Sequence, residues 1–118
     1  MSGITQITPA EVRDGLASGE ILLVDVREAN EYAFERIPGA LLFPLSTFDP
    51  KAIPSAGRTL VIQCAAGSRS MRAAQALVAA GHTQVANLDG GINAWKAQGL
   101  PLIRIDPSSG QVVEHGRC

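Results

Sequence analysis

The chain has 118 residues, 46% of them hydrophobic and 18% charged, and its net charge is −1. This length and composition favour one globular domain with a real core over a disordered or fibrous chain. The near-neutral charge argues against nucleic acid or an anionic membrane as the main partner, and the apolar runs are far shorter than the ~20 residues of a membrane-spanning helix.

The cysteine and histidine content argues against a metal centre. Cys64 and Cys118 are too few for a disulfide framework or a structural zinc site, and neither His82 nor His115 forms a ligand pair at metal-binding spacing. We therefore expect no metal, and we expect Cys64 to act as a single thiol. The first eight residues lack the basic cluster and apolar stretch of a secretory signal, so the expected location is cytoplasmic.

Strand and helix patterns alternate through the first half of the chain. Thr8 to Glu11 form a capping box with a proline at the first helical position, which predicts a short helix that Gly19 ends. The aliphatic run Ile21 to Val24 predicts a strand buried on both faces. A short helix is predicted over Glu28 to Phe34, and a second strand over Ala40 to Leu45.

The same alternation continues in the second half. Thr59 to Gln63 predict a third strand, and a helix follows from about Ser70 to Ala80. Gln84 to Leu88 predict the last inner strand, and the next helix runs through Trp95. Leu102 to Ile105 have the pattern of an edge strand.

Alternating strands and helices imply parallel pairing with right-handed crossovers. The sequence therefore predicts an α/β domain over residues 1–105. Residues 106–118 are polar, and we expect them to form a loosely ordered C-terminal tail.

Cys64 directly follows the third predicted strand, at the edge where open α/β sheets bind ligands. The next residues are small, and a helix opens after them; this loop is Ala65, Ala66, Gly67, Ser68, Arg69 and Ser70. Backbone N–H groups of such a turn can converge on one anionic atom, and a helix N-terminus lowers the pKa of a thiol. Many cysteines are only small buried hydrophobes, but the loop, the arginine and the helix start together favour a reactive thiol.

Several polar residues around this loop have two interpretations. Arg69 is expected to add positive charge, while the two loop serines either donate to a bound anion or only cap the helix. Asp25 and Arg27 are expected to form a polar link that fixes the end of their strand, with Glu31 a plausible partner for Arg27.

Four motifs in order resemble the signatures of the rhodanese homology domain. They are Asp25-Val26-Arg27-Glu28 with Glu31-Tyr32, Ile37-Pro38-Gly39-Ala40, the Cys64 to Ser70 loop, and Asp89-Gly90-Gly91-Ile92 with Trp95 and Gly99-Leu100-Pro101. The resemblance spans roughly Ile4 to Ile105, nearly the whole chain. One departure is Arg36, where the family usually has a histidine.

The resemblance implies a three-layer fold with a central five-stranded parallel sheet flanked by helices and a cysteine at the base of the loop. It also implies a sulfurtransferase that works through a Cys64 persulfide and needs no cofactor. The donor would be thiosulfate or a persulfide. The acceptor would be cyanide or a thiol, including one on a thioredoxin-like or other sulfur-acceptor protein.

Two other functions are weighed against this one. Cysteine phosphatases and arsenate reductases resemble one another in a Cys-to-Arg loop, but the phosphatases have five residues between the two, whereas Cys64 and Arg69 enclose four. A binding module, or a carrier that serves one partner protein, is the other alternative. The intact cysteine and loop argue against a purely binding role.

Overall fold

The computed structural model describes residues 4–106 and 108–115. The strands are β1 (Ile4–Ile7), β2 (Ile21–Asp25), β3 (Glu35–Arg36), β4 (Leu41–Leu42), β5 (Thr59–Gln63), β6 (Val85–Leu88), β7 (Leu102–Ile105) and β8 (Val112–His115). The helices are α1 (Pro9–Ser18), α2 (Ala29–Phe34), α3 (Ser68–Ala79) and α4 (Gly91–Ala97), and two 3₁₀ turns follow β4. Five strands form one sheet in the order β1-β6-β5-β2-β4, and every pairing in it is parallel.

Alternate strand residues point to opposite sides of the sheet, so both of its faces carry apolar side chains. Helices cover both faces. On one face, residues of α1 and α4 form one buried cluster with residues of the sheet, and Val12, Trp95 and Val61 are among its members. On the other face, α3 packs through a buried stripe that includes Leu77, against Ile62. The predicted parallel five-stranded sheet flanked by helices is confirmed. None of the helices in the described ranges is long and apolar enough to cross a bilayer.

The ends of α1 follow the local signals of the sequence. The Thr8 hydroxyl accepts from the Glu11 N–H, while the Glu11 carboxylate accepts from the Thr8 N–H. Gly19 ends the helix with φ at 79°, in the left-handed region that glycine reaches without strain. The predicted bounds of this helix are confirmed.

A second, three-stranded sheet differs from expectation. Strand β7 is not an edge of the main sheet, because it pairs antiparallel with both β3 and β8. Residues 108–115 are also more ordered than a loose tail, since β8 lies within them. The Asp106 carboxylate accepts from the N–H and hydroxyl of Ser108, which stabilises the turn between β7 and β8.

Candidate active site

Cys64 lies at the carboxyl end of β5, and its side chain is almost fully buried, with 1% of the residue exposed. The chain then turns through a loop and enters α3. Gly67 makes this turn possible, because its φ of 121° lies in a region that other residues rarely adopt. Its N–H donates to the Cys64 Sγ at 3.1 Å, and the Ser70 Oγ lies 3.4 Å from the same sulfur.

These contacts set the acidity of the thiol. Burial by itself raises the pKa of Cys64. The hydrogen bond between the thiol and the Ser70 hydroxyl, together with those from the backbone N–H groups of Ser70, Gly67 and Ala66, outweighs that effect and lowers the pKa below the ordinary cysteine value. The loop is therefore built to hold a negative charge on sulfur.

Backbone N–H groups at the start of α4 donate hydrogen bonds to the carbonyl groups at the base of the loop. The Ile92 N–H donates to the Cys64 carbonyl at 2.9 Å, and the Asn93 N–H donates to the Ala65 carbonyl at 3.1 Å. With those carbonyls bound, the N–H groups of the loop face the sulfur. Gly91 permits this close approach, since a Cβ there would clash with the Cys64 carbonyl oxygen and lie 2.6 Å from the Ala65 one. The glycine pair signals a turn in the sequence, but the contact with the loop is visible only in the structure.

Asp25 and Arg27 form the expected polar link at the end of β2. Both are buried, and the guanidinium donates to both carboxylate oxygens at distances of 2.8 to 3.1 Å. The Nη2 of Arg27, which binds Asp25, also donates to the backbone oxygen of Glu35, at 2.7 Å. The pair thus ties the main sheet to β3 of the small sheet.

The ion-pair partner of Glu31 is Arg69, so the expectation that Glu31 pairs with Arg27 is wrong. The Arg69 guanidinium binds both carboxylate oxygens of Glu31, at 2.8 and 3.1 Å. The interaction with Arg69 lowers the pKa of Glu31 to about 2 despite partial burial, and Glu31 in turn raises the pKa of Arg69. The arginine expected to add positive charge to the loop is therefore neutralised by a carboxylate of α2.

The predicted loop residues do not all meet at the sulfur. Gly67 and Ser70 contact it directly, and the Ala66 N–H faces it. Ser70 also donates to the Gly67 carbonyl, whereas Ser68 is exposed at the first residue of α3. Ser70 thus contacts the sulfur, while donation by either serine to a bound anion stays a prediction. Cys118 lies outside the described residues.

Two buried amides beside the site were not anticipated from the sequence. Gln63, which precedes Cys64, is fully buried, and neither its Nε2 nor its Oε1 has a hydrogen-bond partner in the described part of the chain. The Asn87 Oδ1 is also unpaired, although its Nδ2 donates to Gln6 at 2.9 Å. No cluster of three His, Cys, Asp or Glu residues suited to a metal occurs within residues 4–106 and 108–115.

Known proteins are similar to this chain in sequence and in fold. An Allochromatium vinosum protein named sulfurtransferase is 38% identical over 103 residues, covering 85% of this chain and 95% of that protein. The uncharacterized Synechocystis protein slr1261 is 38% identical over 99 residues, covering 83% of this chain and 55% of that protein. This chain therefore spans about half the length of that second relative.

A solved structure and a family model agree with these sequence matches. The solution structure of the rhodanese-like domain of Anabaena Alr3790 has a TM-score of 0.76 and 28% identity to this chain, covering 88% of this chain and 82% of that one. The model of the Rhodanese-like domain family matches residues 8–98. The chain belongs to the rhodanese-like domain family.

Proposed function

We propose that this protein is a sulfurtransferase in which Cys64 takes a sulfane sulfur from a donor, holds it as a persulfide and passes it to a thiophilic acceptor. Membership of the family and the sulfurtransferase relative support sulfur transfer in general. The observation that carries the finer proposal is the convergence of the Gly67 N–H and the Ser70 hydroxyl on the Cys64 sulfur.

The first half-reaction loads the cysteine. The Cys64 thiolate attacks the outer sulfur of the donor, so that a new bond forms from Sγ to that sulfur and the bond to the donor's inner sulfur breaks. The electron pair leaves with the donor, as sulfite from thiosulfate or as a thiolate from a persulfide. The attacking form is the thiolate, which the loop favours because it lowers the pKa of Cys64; an already ionised thiol needs no separate general base for this step.

The second half-reaction releases the sulfur. An acceptor thiolate or cyanide attacks the terminal sulfur of the persulfide, and the electron pair of the broken bond returns to the Cys64 thiolate. Between the two steps the loop N–H groups and the start of α3 stabilise the negative charge of the persulfide. No metal or organic cofactor enters either step.

The geometry favours this chemistry over phosphate chemistry. The Cys64 sulfur is nearly buried, and the N–H group of Gly67 already lies within 3.1 Å of it. Such a cradle suits one added sulfur atom better than a tetrahedral phosphoryl group. In addition, Arg69, which would bind a phosphoryl oxygen, is bound by Glu31. A carrier that serves one partner protein remains compatible with the same persulfide.

Intact-mass analysis tests the proposal. After exposure to thiosulfate or to a hydropersulfide, the protein should gain one sulfur atom that dithiothreitol or cyanide removes. The Cys64→Ser variant should gain none and should lose transfer activity, whereas Cys118→Ser should keep turnover within about twofold of the unaltered protein, because the mechanism uses one thiol. A mass gain that persists in Cys64→Ser would contradict the assignment of the nucleophile.

A further inference from the structure

Both arginines at the carboxyl end of the sheet near Cys64 are held by carboxylates. Arg27 is buried and binds Asp25, and Arg69 binds Glu31 through two nitrogens. Neither guanidinium therefore presents an uncompensated positive charge to a ligand above Cys64.

The other charges near this edge do not restore a cationic site. Glu28 lies at the start of α2, and its carboxylate accepts from neutral donors, the N–H and hydroxyl of Ser46. Asp89 is exposed directly after β6, the strand beside β5. Arg72 is exposed two positions after the buried Ser70, which places it on the opposite side of α3. None of these three side chains therefore adds a positive charge beside the loop.

Arg36 is also engaged elsewhere. Its guanidinium lies 5.1 Å from the centre of the Tyr32 ring, in the range of a cation–π contact, and it donates weakly to the Tyr32 carbonyl. Lys96 and Arg104 both bind Glu35, whose backbone lies in the small sheet.

We propose that the Glu31–Arg69 ion pair selects the sulfur donor: the site takes a low-charge donor, a hydropersulfide borne on a thiol, in preference to the thiosulfate dianion. This inference rests on the proposed persulfide function of Cys64 and names the donor class for it. A dianion beside two neutralised arginines gains little electrostatic attraction from side chains, so that the backbone N–H groups of the loop are left to bind it, whereas a hydropersulfide, RS–SH, carries less charge to be compensated.

The favoured step is balanced without any further reactant. The Cys64 thiolate attacks the terminal sulfur of RS–SH, the Sγ–S bond forms and the RS–SH sulfur–sulfur bond breaks. The electron pair leaves on RS⁻, the proton stays with the transferred sulfur, and the cysteine becomes Cys64–S–SH.

The test compares donors that differ in charge. Thiosulfate carries two negative charges, and methanethiosulfonate carries one on an otherwise similar frame. Rapid-quench intact mass would give the rate at which each loads Cys64, over a range of salt concentration. Cysteine hydropersulfide and a short neutral peptide with a hydropersulfide on its cysteine would represent a free and a polypeptide donor.

Unaltered protein should be loaded by the hydropersulfides at least about tenfold faster than by thiosulfate, and added salt should not slow thiosulfate. In Glu31→Gln, the freed Arg69 should raise the ratio of thiosulfate to methanethiosulfonate rates about tenfold, and salt should now slow thiosulfate. Both donors react with the same thiolate, so any change in the thiolate fraction of Cys64 cancels in the ratio of their two loading rates.

Two control variants separate the ion pair from overall charge. Glu28→Gln makes the same change in net charge at the start of the same helix, but it does not free Arg69. The ratio of thiosulfate to methanethiosulfonate loading rates in this variant should therefore stay within about twofold of that in the unaltered protein. The double variant Glu31→Gln/Arg69→Gln should return the ratio to the unaltered value. Circular dichroism would confirm that each variant is folded.

The outcomes distinguish the two proposals. If thiosulfate loads unaltered protein as fast as the hydropersulfides and salt slows it, the donor selection is wrong while the persulfide function stands. An unchanged donor ratio in folded Glu31→Gln would overturn the role of the ion pair in the same way. If no donor loads Cys64, the proposed function itself is wrong. The salt dependence is measured on unaltered protein, so the selection stays testable if a variant fails to fold.

Discussion

Single residues around Cys64 control its acidity through contacts that sequence spacing does not reveal. The Ser70 hydroxyl is the strongest of the groups that lower the pKa of the thiol, and it acts against burial, which raises that pKa. We predict that Ser70→Ala raises the pKa of Cys64. Alkylation rate measured against pH should give a midpoint below the free-thiol value of about 8.5 in unaltered protein and a higher midpoint in the variant.

Ser68→Ala is the matched control for that measurement. Ser68 lies two residues earlier on α3 and is exposed, so its hydroxyl should leave the midpoint where it is. Equal midpoints in Ser70→Ala and in unaltered protein would show that the backbone N–H groups alone hold the thiolate.

Gln63 illustrates the cost of an unpaired buried amide. Both polar atoms of its side chain lack partners among the described residues, and each such group costs about 1–3 kcal/mol of desolvation. Gln63→Met keeps a similar volume without those atoms, so we predict that it raises the free energy of unfolding by about 1–2 kcal/mol. Urea titration would measure the gain, and a loss of stability instead would show that the amide is satisfied.

The exposed Gln75 of α3 provides the comparison. Because Gln75 is in contact with solvent, Gln75→Met should change the free energy of unfolding by no more than about 0.5 kcal/mol.

Among the elements, α4 acts on the loop through its first turn. Gly91→Ala would drive a Cβ against the Cys64 and Ala65 carbonyl oxygens, and Gly91 also has a positive φ of 59°. We predict that this variant displaces the loop N–H groups and lowers sulfur transfer about 10²–10³-fold, the usual effect of misplaced anion-stabilising donors. Single-turnover loading of Cys64 would measure it.

Gly99→Ala is the control that shows the effect of backbone strain alone, without the clash that an added Cβ causes in Gly91→Ala. Gly99 has a similar φ of 69°, but no atom lies within 4 Å of the position its Cβ would take. This variant should lose some stability and keep its transfer rate within about threefold, since strain at such a residue costs on the order of 1 kcal/mol. Similar rates in the two variants would mean that the contact between α4 and the loop does not position the donors.

Local signals explain which elements the sequence predicts well. The Thr8 capping box and Gly19 determine α1 through residues a few positions apart, and the aliphatic runs of β2 and β5 mark strands covered on both faces. Strand β1 was not predicted, because Ile4–Ile7 has only two apolar residues and forms by pairing with β6. Helix α3 begins at Ser68, two residues before the predicted start, with Gly67 as its N-cap.

The site shows the same division between local and distant contacts. Cys64, Gly67 and Ser70 lie within seven residues of one another, and the strand–loop–helix pattern is enough to bring them together. The Arg69–Glu31 pair joins residues 38 positions apart, and from the sequence only the nearby Arg27 was expected as a partner for Glu31. Which carboxylate meets which arginine depends on how α2 lies against α3, and no local pattern encodes that.

For the molecule as a whole, Glu35 holds the small sheet to the rest. Its nearly buried carboxylate binds Lys96 of α4 and Arg104 of β7, while its backbone oxygen accepts from Arg27. Burial raises the pKa of Glu35, but the two cations outweigh burial and lower it. Glu31, with its pKa of about 2, is depressed in the same direction.

These depressed values predict how stability depends on pH. A carboxyl group with a lower pKa in the folded state contributes stability above its unfolded pKa and loses it as pH falls through the folded value. Unaltered protein should therefore lose stability between about pH 4.5 and pH 2. Glu35→Gln should be less stable near neutral pH and should lose less over that range, which urea midpoints at successive pH values would measure. A parallel loss in both proteins would contradict this role for Glu35.

Strand β1 occupies one edge of the main sheet, and its partner in the described structure is β6, so that Ile4 must meet Val85. Closing so large a loop costs chain entropy, and pairings this distant raise contact order and slow folding. During synthesis, β2 can pair with β5 well before β6 exists, whereas β1 must wait until Leu88 has emerged from the ribosome. Although β1 precedes β6 in the chain, it is thus among the last strands of this sheet to pair, and until then the nascent sheet presents the β6 edge as an open template for other strands.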